Sequence, residues 1–142
     1  MEYILDRVLA LKETQIFKEL SGQILANVAV ILDKKLIGEG EYIMRKGEQG
    51  DSMYLIESGQ LEVRDGDRVL ATLGEKQVVG EMSLLAPIDR TADVVAIEES
   101  VLYRIEREKF VDLIYEEPEI MLGIITSLVY RIREQNLKIS ST

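Results

Sequence analysis

The chain of 142 residues contains no histidine, no cysteine and no tryptophan. Without cysteine there is no disulfide framework, no thiolate nucleophile and no zinc finger. Without histidine there is no imidazole base, no imidazole-held metal and no side chain whose ordinary pKa lies near neutrality. These absences exclude thiol-based and histidine-based catalysis. We therefore expect no catalytic residues, no metal site and no cofactor, so the chain is not expected to be an enzyme.

Basic residues are also few, with 17 Lys and Arg against 26 Asp and Glu and a net charge of −9. A surface that coats nucleic acid needs clustered Lys and Arg, so we expect no direct nucleic-acid binding. No apolar run reaches the ~18 residues of a membrane-spanning helix. The first residues also lack the basic region of a signal peptide. We therefore expect a cytoplasmic protein with no membrane insertion.

The length and composition that are present favour a single globular domain over residues 1–142. The chain is 46% hydrophobic and 30% charged, which is ordinary usage for a folded protein. A chain of about 150 residues buries roughly 68–70% of the surface that its unfolded form exposes. The core can therefore form without a metal or a disulfide.

Glycine has the most informative distribution, because eight of the ten glycines lie between Gly38 and Gly80. Short β-prone runs between turn residues at regular spacing are typical of an all-β barrel or sandwich. The segment at 65–68, DGDR, separates two such runs and predicts a hairpin. Together the runs predict about eight short strands; the clearest are residues 42–44, 53–56, 61–63, 69–73, 94–97 and 101–105.

Both flanks of this strand-rich region have helical patterns. Apolar residues recur at helical spacing within residues 2–11, and Ser21 is a suitable cap for a second helix. Pro118 fits the first turn of a final helix that runs to about Leu137. The order of elements predicts an α+β protein with segregated elements. Its expected parts are an N-terminal helical bundle, a strand region and C-terminal helices, at residues 1–33, 34–106 and 107–138.

The segment from Gly80 to Ala92 interrupts the strand pattern. Gly80 permits close backbone approach, and the residues after it favour one or two helical turns. The first N–H groups of such a helix, together with Arg90, can hold a phosphate or a carboxylate. The Glu81 carboxylate suits a hydroxyl donor such as a ribose. The segment therefore predicts a small ligand that carries both an anion and a hydroxyl group.

Two motifs resemble those of cyclic-nucleotide-binding domains, as found in catabolite activator proteins and regulatory subunits of protein kinase A. Residues 47–59, GEQGDSMYLIESG, are similar to the family's glycine-rich motif. Residues 80–85, GEMSLL, followed by RTA at 90–92, look like its phosphate-binding cassette. The resemblance covers nearly the whole chain. It implies an eight-stranded antiparallel β jelly-roll barrel flanked by N-terminal helices and C-terminal lid helices.

The same resemblance implies a function and assigns roles to residues. It implies a regulatory module that senses cAMP or cGMP and relays binding through movement of the C-terminal helices. Arg90 would pair with the cyclic phosphate, and Glu81 would accept a hydrogen bond from the ribose 2′-hydroxyl. The remaining phosphate and sugar contacts would come from Gly80, Met82, Ser83 and the backbone N–H groups of Thr91 and Ala92. The base would contact Val63, Leu73, Tyr130 and Arg133.

Two aspartates depart from the family pattern. Asp89 stands where proline often precedes the arginine, and Asp93 adds a second negative charge. At an effective dielectric constant of about 20, a carboxylate about 8 Å away would disfavour a bound anion by ~2 kcal/mol. A position in solvent would largely screen that repulsion. Thr91 resembles a residue associated with cGMP tolerance, but the choice of base stays open.

There are two alternatives to a sensor. The two aspartates favour one of them, and the absence of histidine disfavours the other. The first is a degenerate domain that binds no ligand and uses the final helix for docking or dimerisation. In either reading, a second copy of the chain or a larger effector protein is the expected partner of that helix. The second alternative, a jelly-roll enzyme of the cupin type, is disfavoured because such enzymes hold a metal with several histidines.

Overall fold

The structure, a computed structural model, describes residues 4–140. Two helices come first, α1 (Ile4–Lys12) and α2 (Gly22–Val30), and two come last, α3 (Arg107–Glu116) and α4 (Glu119–Ser140). Between them lie eight strands: β1 (Asp33–Ile37), β2 (Tyr42–Met44), β3 (Ser52–Ser58), β4 (Leu61–Asp65), β5 (Arg68–Leu73), β6 (Val78–Val79), β7 (Asp93–Ala96) and β8 (Ser100–Glu106). A 3₁₀ helix, Glu81–Leu84, separates β6 from β7. This order of elements agrees with the predicted α+β class. The part of the first predicted helix at residues 2 and 3 lies outside the described residues.

The strands form two four-stranded antiparallel sheets, in the orders β1-β8-β3-β6 and β2-β7-β4-β5. The eight antiparallel strands agree with the predicted jelly-roll barrel, but the strand pairing divides them into two sheets and does not close a barrel. Strand β6 is only two residues long and pairs with β3 alone, so it cannot join one sheet to the other. Apolar residues from both sheets share one core, which includes Ile56, Leu61, Val94 and Leu102.

The predicted hairpin and most of the predicted strands are present. Asp65 pairs with Arg68 across a two-residue turn, and Gly66 in that turn has a φ of 63°. Strands β1 and β6 were not among the runs named from the sequence. Strand β1 was missed because of its sequence, DKKLI, in which four of the five residues are exposed. Its pairing with β8 therefore had no apolar signal.

The N-terminal helices begin and pack largely as the sequence indicates. Ser21 caps α2, since its Oγ accepts a hydrogen bond from the backbone N–H of Ile24 at 3.2 Å. On α1, Val8 and Leu11 are buried, whereas Leu5 is 65% exposed. The apolar residues of α1 therefore divide between the core and the surface.

A second core joins the helices to the outer face of the first sheet. Phe17, in the segment after α1, contacts Phe110 of α3 edge to face, with ring centroids 5.7 Å apart. Ile124 of α4 and Leu84 of the 3₁₀ helix belong to the same buried cluster. Burial of Leu84, which is 1% exposed, therefore anchors the 3₁₀ helix against the helical layer.

Helix α4 has a largely exposed apolar stripe. Leu122, Ile125, Val129 and Ile132 are each half or more exposed and recur at intervals of three and four residues. That spacing places them on one side of the helix. Despite the length of α4, none of the helices in residues 4–140 combines the length and apolarity needed to cross a membrane.

Candidate functional site

A pocket of about 250 Å³ lies between the 3₁₀ helix and the second sheet. All seven residues predicted to bind the anion and the sugar line it, together with Val63 from the predicted base pocket. Four other lining residues were missed by sequence reasoning, Met44, Val79, Ile88 and Val94, whereas Asp89 had been named as a charge beside the site. Only the resemblance linked residues before Gly80 to the ligand, because the strand pattern does not show which strand faces lie next to the cassette.

Arg90 is the central cationic group of this pocket. Its Nη1 donates to the Ser83 hydroxyl and its Nη2 donates to the Ser52 carbonyl, both at 2.9 Å. Within residues 4–140 no carboxylate lies within ion-pair distance of this guanidinium. Burial lowers the pKa of Arg90 from its ordinary value, but an arginine remains charged at neutral pH. The site therefore holds a partly buried positive charge that is bonded only to neutral oxygens.

Two glycines, one from each motif, make room for the Arg90 side chain. A Cβ on Gly50 would lie 2.8 Å from Cζ and Nε of Arg90 and would also overlap Ser83 Oγ. A Cβ on Gly80 would lie 2.7 Å from Nη1 of Arg90, and the positive φ of 81° at this residue already favours glycine. Both motifs found in the sequence thus pack closely against Arg90, and we call Gly50 and Gly80 the arginine cradle.

Backbone hydrogen bonds join the glycine-rich motif to the segment that carries Arg90. The N–H of Arg90 donates to the Glu48 carbonyl at 2.7 Å, and the N–H of Gly47 donates to the Arg90 carbonyl at 2.9 Å. The N–H of Gly50 donates to the Ile88 carbonyl at 2.8 Å. These bonds fix the position of Arg90 relative to the sheets. The two motifs, which are far apart along the chain, therefore lie next to each other in the fold.

The 3₁₀ helix brings a hydrogen-bond acceptor to the same pocket. Gly80 precedes the helix in a left-handed conformation, and Glu81 is its first residue. The structure gives the Glu81 carboxylate no hydrogen-bond partner among residues 4–140, and this side chain is partly exposed. Ser83 is buried under Arg90, whereas Met82 is 36% exposed. The pocket therefore offers a cation and a carboxylate acceptor to one small molecule.

The two aspartates that depart from the family pattern have different environments. Asp93 Oδ1 accepts a hydrogen bond from the backbone N–H of Lys46 at 2.8 Å, and Asp93 does not line the pocket. Asp89 is exposed at the pocket rim. Of these two aspartates, only Asp89 therefore lines the pocket, and solvent screens its charge.

Three residues of the predicted base pocket lie away from Arg90. Leu73 packs against the core between the sheets. Tyr130 and Arg133 line a different pocket of about 230 Å³ beside Lys18 and Glu19. This structure therefore does not bring α4 over the cassette, and the contacts of these three residues with a base stay predictions. No group of residues in the described part of the chain is arranged to hold a metal ion.

The pocket has features of a small-anion site built on a two-sheet domain: a fixed arginine and a wall of apolar side chains. Comparison with known families gives the class of that domain. The family described as "Cyclic nucleotide-binding domain" matches residues 34–117. This chain therefore belongs to the cyclic nucleotide-binding domain family, which confirms the resemblance seen in the sequence.

Individual relatives agree with the family assignment. The chain is 29% identical over 134 residues to the "Cyclic AMP receptor protein" of Thermus thermophilus, covering 91% of this chain and 62% of that protein. It is 33% identical over 101 residues to the "cAMP-dependent protein kinase regulatory subunit" of Debaryomyces hansenii, covering 70% of this chain and 22% of that protein. The chain thus spans less than two thirds of the length of these relatives.

Solved structures share the fold. The N-terminal domain of a transcriptional regulator from Streptomyces coelicolor superposes with a TM-score of 0.81 at 22% identity, covering 94% of this chain and 96% of that one. The regulatory domain of Toxoplasma gondii PKA, crystallised with cAMP, superposes with a TM-score of 0.68 at 26% identity, covering 77% of this chain and 43% of that one. The arrangement of helices and antiparallel sheets is therefore that of this family.

Proposed function

We propose that this chain is a regulatory, non-enzymatic module that binds a cyclic nucleotide, cAMP or cGMP, in the pocket around Arg90. The observation that carries the proposal is the Arg90 guanidinium, which is partly buried and, among the residues that the structure describes, bonded only to the neutral oxygens of Ser52 and Ser83. An anionic ligand can pair with this charge without first breaking an internal ion pair. Membership of the family and the names of the relatives support a cyclic nucleotide as that anion.

The residues around Arg90 provide the other contacts of the proposed complex. Arg90 pairs with the cyclic phosphate through parallel charge-assisted hydrogen bonds. Glu81 accepts a hydrogen bond from the ribose 2′-hydroxyl, a role that its position in the same pocket permits. Gly80, Met82, Ser83 and the N–H groups of Thr91 and Ala92 complete the phosphate and sugar contacts. Val63 contacts the base beside Leu73, and Tyr130 or Arg133 joins only after α4 moves.

The relay in this proposal passes through the helical core. A ligand that tightens the 3₁₀ helix displaces Leu84, which shares a buried cluster with Phe110 of α3 and Ile124 of α4. The C-terminal helices then change position relative to the sheets. This mechanism is allosteric only if the two arrangements differ in affinity for the nucleotide.

The proposed output surface is the exposed apolar stripe of α4. Leu122, Ile125, Val129 and Ile132 have the three- and four-residue spacing of a helix seam that packs against a second helix. A second copy of the chain, or a larger effector protein in the cytoplasm, is the partner that we propose for it. Sedimentation equilibrium of the chain and of Val129→Glu tests the self-association, which the variant should abolish.

Thermal melting with cyclic and linear nucleotides tests the sensor function. A ligand at 100 times its Kd stabilises the folded state by about 2.7 kcal/mol, roughly 5–10 °C in Tm for this size. We expect this shift with cAMP or cGMP and a much smaller one with 5′-AMP or 5′-GMP, which have a doubly charged, uncyclised phosphate. Arg90→Gln should remove most of the shift, and Arg90→Lys should keep only part of it because lysine lacks the planar fork.

One outcome would refute the sensor and favour the alternative. If no cyclic nucleotide at millimolar concentration changes Tm, the pocket does not bind this class of ligand. The remaining candidate is then a domain that keeps the family fold and acts only through α4. Two observations favour that candidate as second choice: the carboxylate of Asp89 at the pocket rim and the exposed stripe itself.

A further inference from the structure

Arg104 of β8 lies behind the anion site and does not line the pocket. Its Nε donates to Ser52 Oγ at 3.0 Å and its Nη1 donates to Glu106 Oε1 at 3.1 Å. Its Nη2 lies 3.6 Å from Asp51 Oδ1. The Arg104 side chain is only 25% exposed, so these three acceptors surround a largely buried cation. Neither the resemblance nor the pocket assigns it a role.

Ser52 connects Arg104 directly to Arg90. This residue is 1% exposed, and its hydroxyl donates to Asp51 Oδ1 at 2.6 Å while accepting from Arg104. Its backbone carbonyl accepts the Nη2 hydrogen bond of Arg90. A change at Arg104 therefore acts on the residue that holds the side chain of Arg90.

Asp51 is the carboxylate that this arrangement keeps in place. It follows Gly50, and the guanidinium of Arg90 packs directly against Gly50. Burial lowers the pKa of Arg90 and the charge of Arg104 lowers it further, whereas Tyr54, Asp51 and Glu48 act in the opposite direction. Asp51 is 71% exposed, so its side chain has room to turn. Ser52 and Arg104 are the groups that hold its Oδ1.

We propose that Arg104 is a positioning residue that holds the Asp51 carboxylate away from Arg90, so that Arg90 stays available to the ligand phosphate. Without Arg104, Asp51 turns toward Arg90 and forms an internal ion pair that competes with the ligand. The inference rests on the proposed function, since it explains how the site keeps an arginine free beside an aspartate. With Asp51 held in this way, a ligand anion does not have to displace a neighbouring carboxylate from Arg90.

Nucleotide titration of four variants tests this role. Arg104→Gln should weaken cyclic-nucleotide binding about five- to tenfold, which is somewhat more than an exposed ion pair contributes. Adding Asp51→Asn to Arg104→Gln should restore affinity to within about threefold of Asp51→Asn alone, because no competing carboxylate is left. Arg64→Gln is the matched control. Arg64 also bonds a glutamate two residues away on its own strand, Glu62 at 2.7 Å, and we expect unchanged affinity.

The rescue separates positioning from general destabilisation. An unchanged affinity in Arg104→Gln overturns the proposal, and so does a loss of affinity that Asp51→Asn does not reverse. If Arg104→Gln folds poorly, Arg104→Met takes its place and should show the same loss and the same rescue by Asp51→Asn. Arg104→Lys keeps the charge and should bind within about threefold of the unsubstituted chain. A loss in Arg104→Lys as large as that of the uncharged variant would contradict the role of the charge.

An NMR measurement on the unliganded protein keeps the proposal testable without a ligand. The Nε–Hε signal of Arg90, assigned with Arg90→Lys, should shift in Arg104→Gln as the guanidinium gains a carboxylate partner. It should return toward its original position in the double variant with Asp51→Asn. If no nucleotide binds but this shift occurs, the proposed function fails while the role of Arg104 stands. If the signal does not move in Arg104→Gln, the role of Arg104 fails.

Discussion

Replacing Gly50 with alanine tests the arginine cradle with one methyl group. The backbone φ of Gly50 lies outside the positive range, so alanine brings no backbone strain at this position. Its Cβ would instead lie 2.8 Å from Cζ and Nε of Arg90 and would overlap Ser83 Oγ. Ordinary contacts of a Cβ are 3.4–4 Å. The Arg90 side chain must therefore move by several tenths of an ångström or more.

Gly50→Ala should change both the free energy of unfolding and the affinity for the nucleotide. Overpacking of this kind costs about 1–3 kcal/mol, whereas Gly→Ala stabilises by about 0.4–1 kcal/mol through the unfolded state. We expect a net loss of about 1–2 kcal/mol, which lowers Tm by roughly 3–8 °C. A displaced Arg90 that loses one charge-assisted hydrogen bond to the ligand forfeits about 1.5–3 kcal/mol, so affinity falls about 10- to 150-fold.

Isothermal titration with the cyclic nucleotide, together with unliganded melting, separates these two effects. Gly38→Ala is the matched control, because its Cβ would meet nothing within 4 Å and its φ is also outside the positive range. That variant should melt at or above the original temperature and bind normally. If Gly50→Ala binds the nucleotide as tightly as the unsubstituted chain, the cradle does not position Arg90 for the ligand and the reasoning is wrong.

Three further predictions concern stability and pH. Ser21→Ala removes the cap on the Ile24 N–H and should lower Tm by about 3–4 °C, from about 1 kcal/mol, without changing nucleotide affinity. Leu84→Ala opens a cavity under the 3₁₀ helix and should cost about 2–5 kcal/mol in denaturant unfolding; a loss below 1 kcal/mol would contradict its anchoring role. The hydrogen bond from Lys109 lowers the pKa of Asp33 in the folded protein. This pair therefore stabilises the fold at any pH above the ordinary aspartate pKa of about 3.9, and the stabilisation is lost as pH falls through the lower pKa of the folded state. The Tm difference between the original chain and Asp33→Asn should therefore shrink as pH falls below about 4, and a difference that stays constant through this range would rule out the linkage.

The sequence identified most elements whose pattern is local. Ser21, the hairpin at Gly66 and the apolar runs of β3, β4 and β8 each have a signal within a few residues. Strand β1 lacked such a signal, because its exposed polar residues are held by pairing with β8 far along the chain. The division of the eight strands into two sheets was also not visible in the sequence, since strand pairing at β6 depends on partners that no local pattern reveals.

The pocket around Arg90 was likewise predicted from the sequence only in part. The family motifs named Arg90, Glu81 and the cassette residues, and these residues do line one pocket. The predicted base contacts from α4 did not come with them, because Tyr130 and Arg133 lie beside Lys18 and Glu19 in this structure. Where a long helix rests depends on the packing of several elements, whereas residues 88–90 are fixed by backbone hydrogen bonds to the glycine-rich loop at 47–50.

The absence of histidine and cysteine from the sequence still excludes thiol and imidazole chemistry in the pocket. By itself the sequence determined the family, the cassette and the cationic residue at its centre, because these are read from residue types at short spacing. Only the tertiary structure showed that Asp93 is bonded to Lys46 and that Ser52 and Arg104 stand behind Arg90. Those contacts join residues up to 52 positions apart, so they exist only when the strands pair.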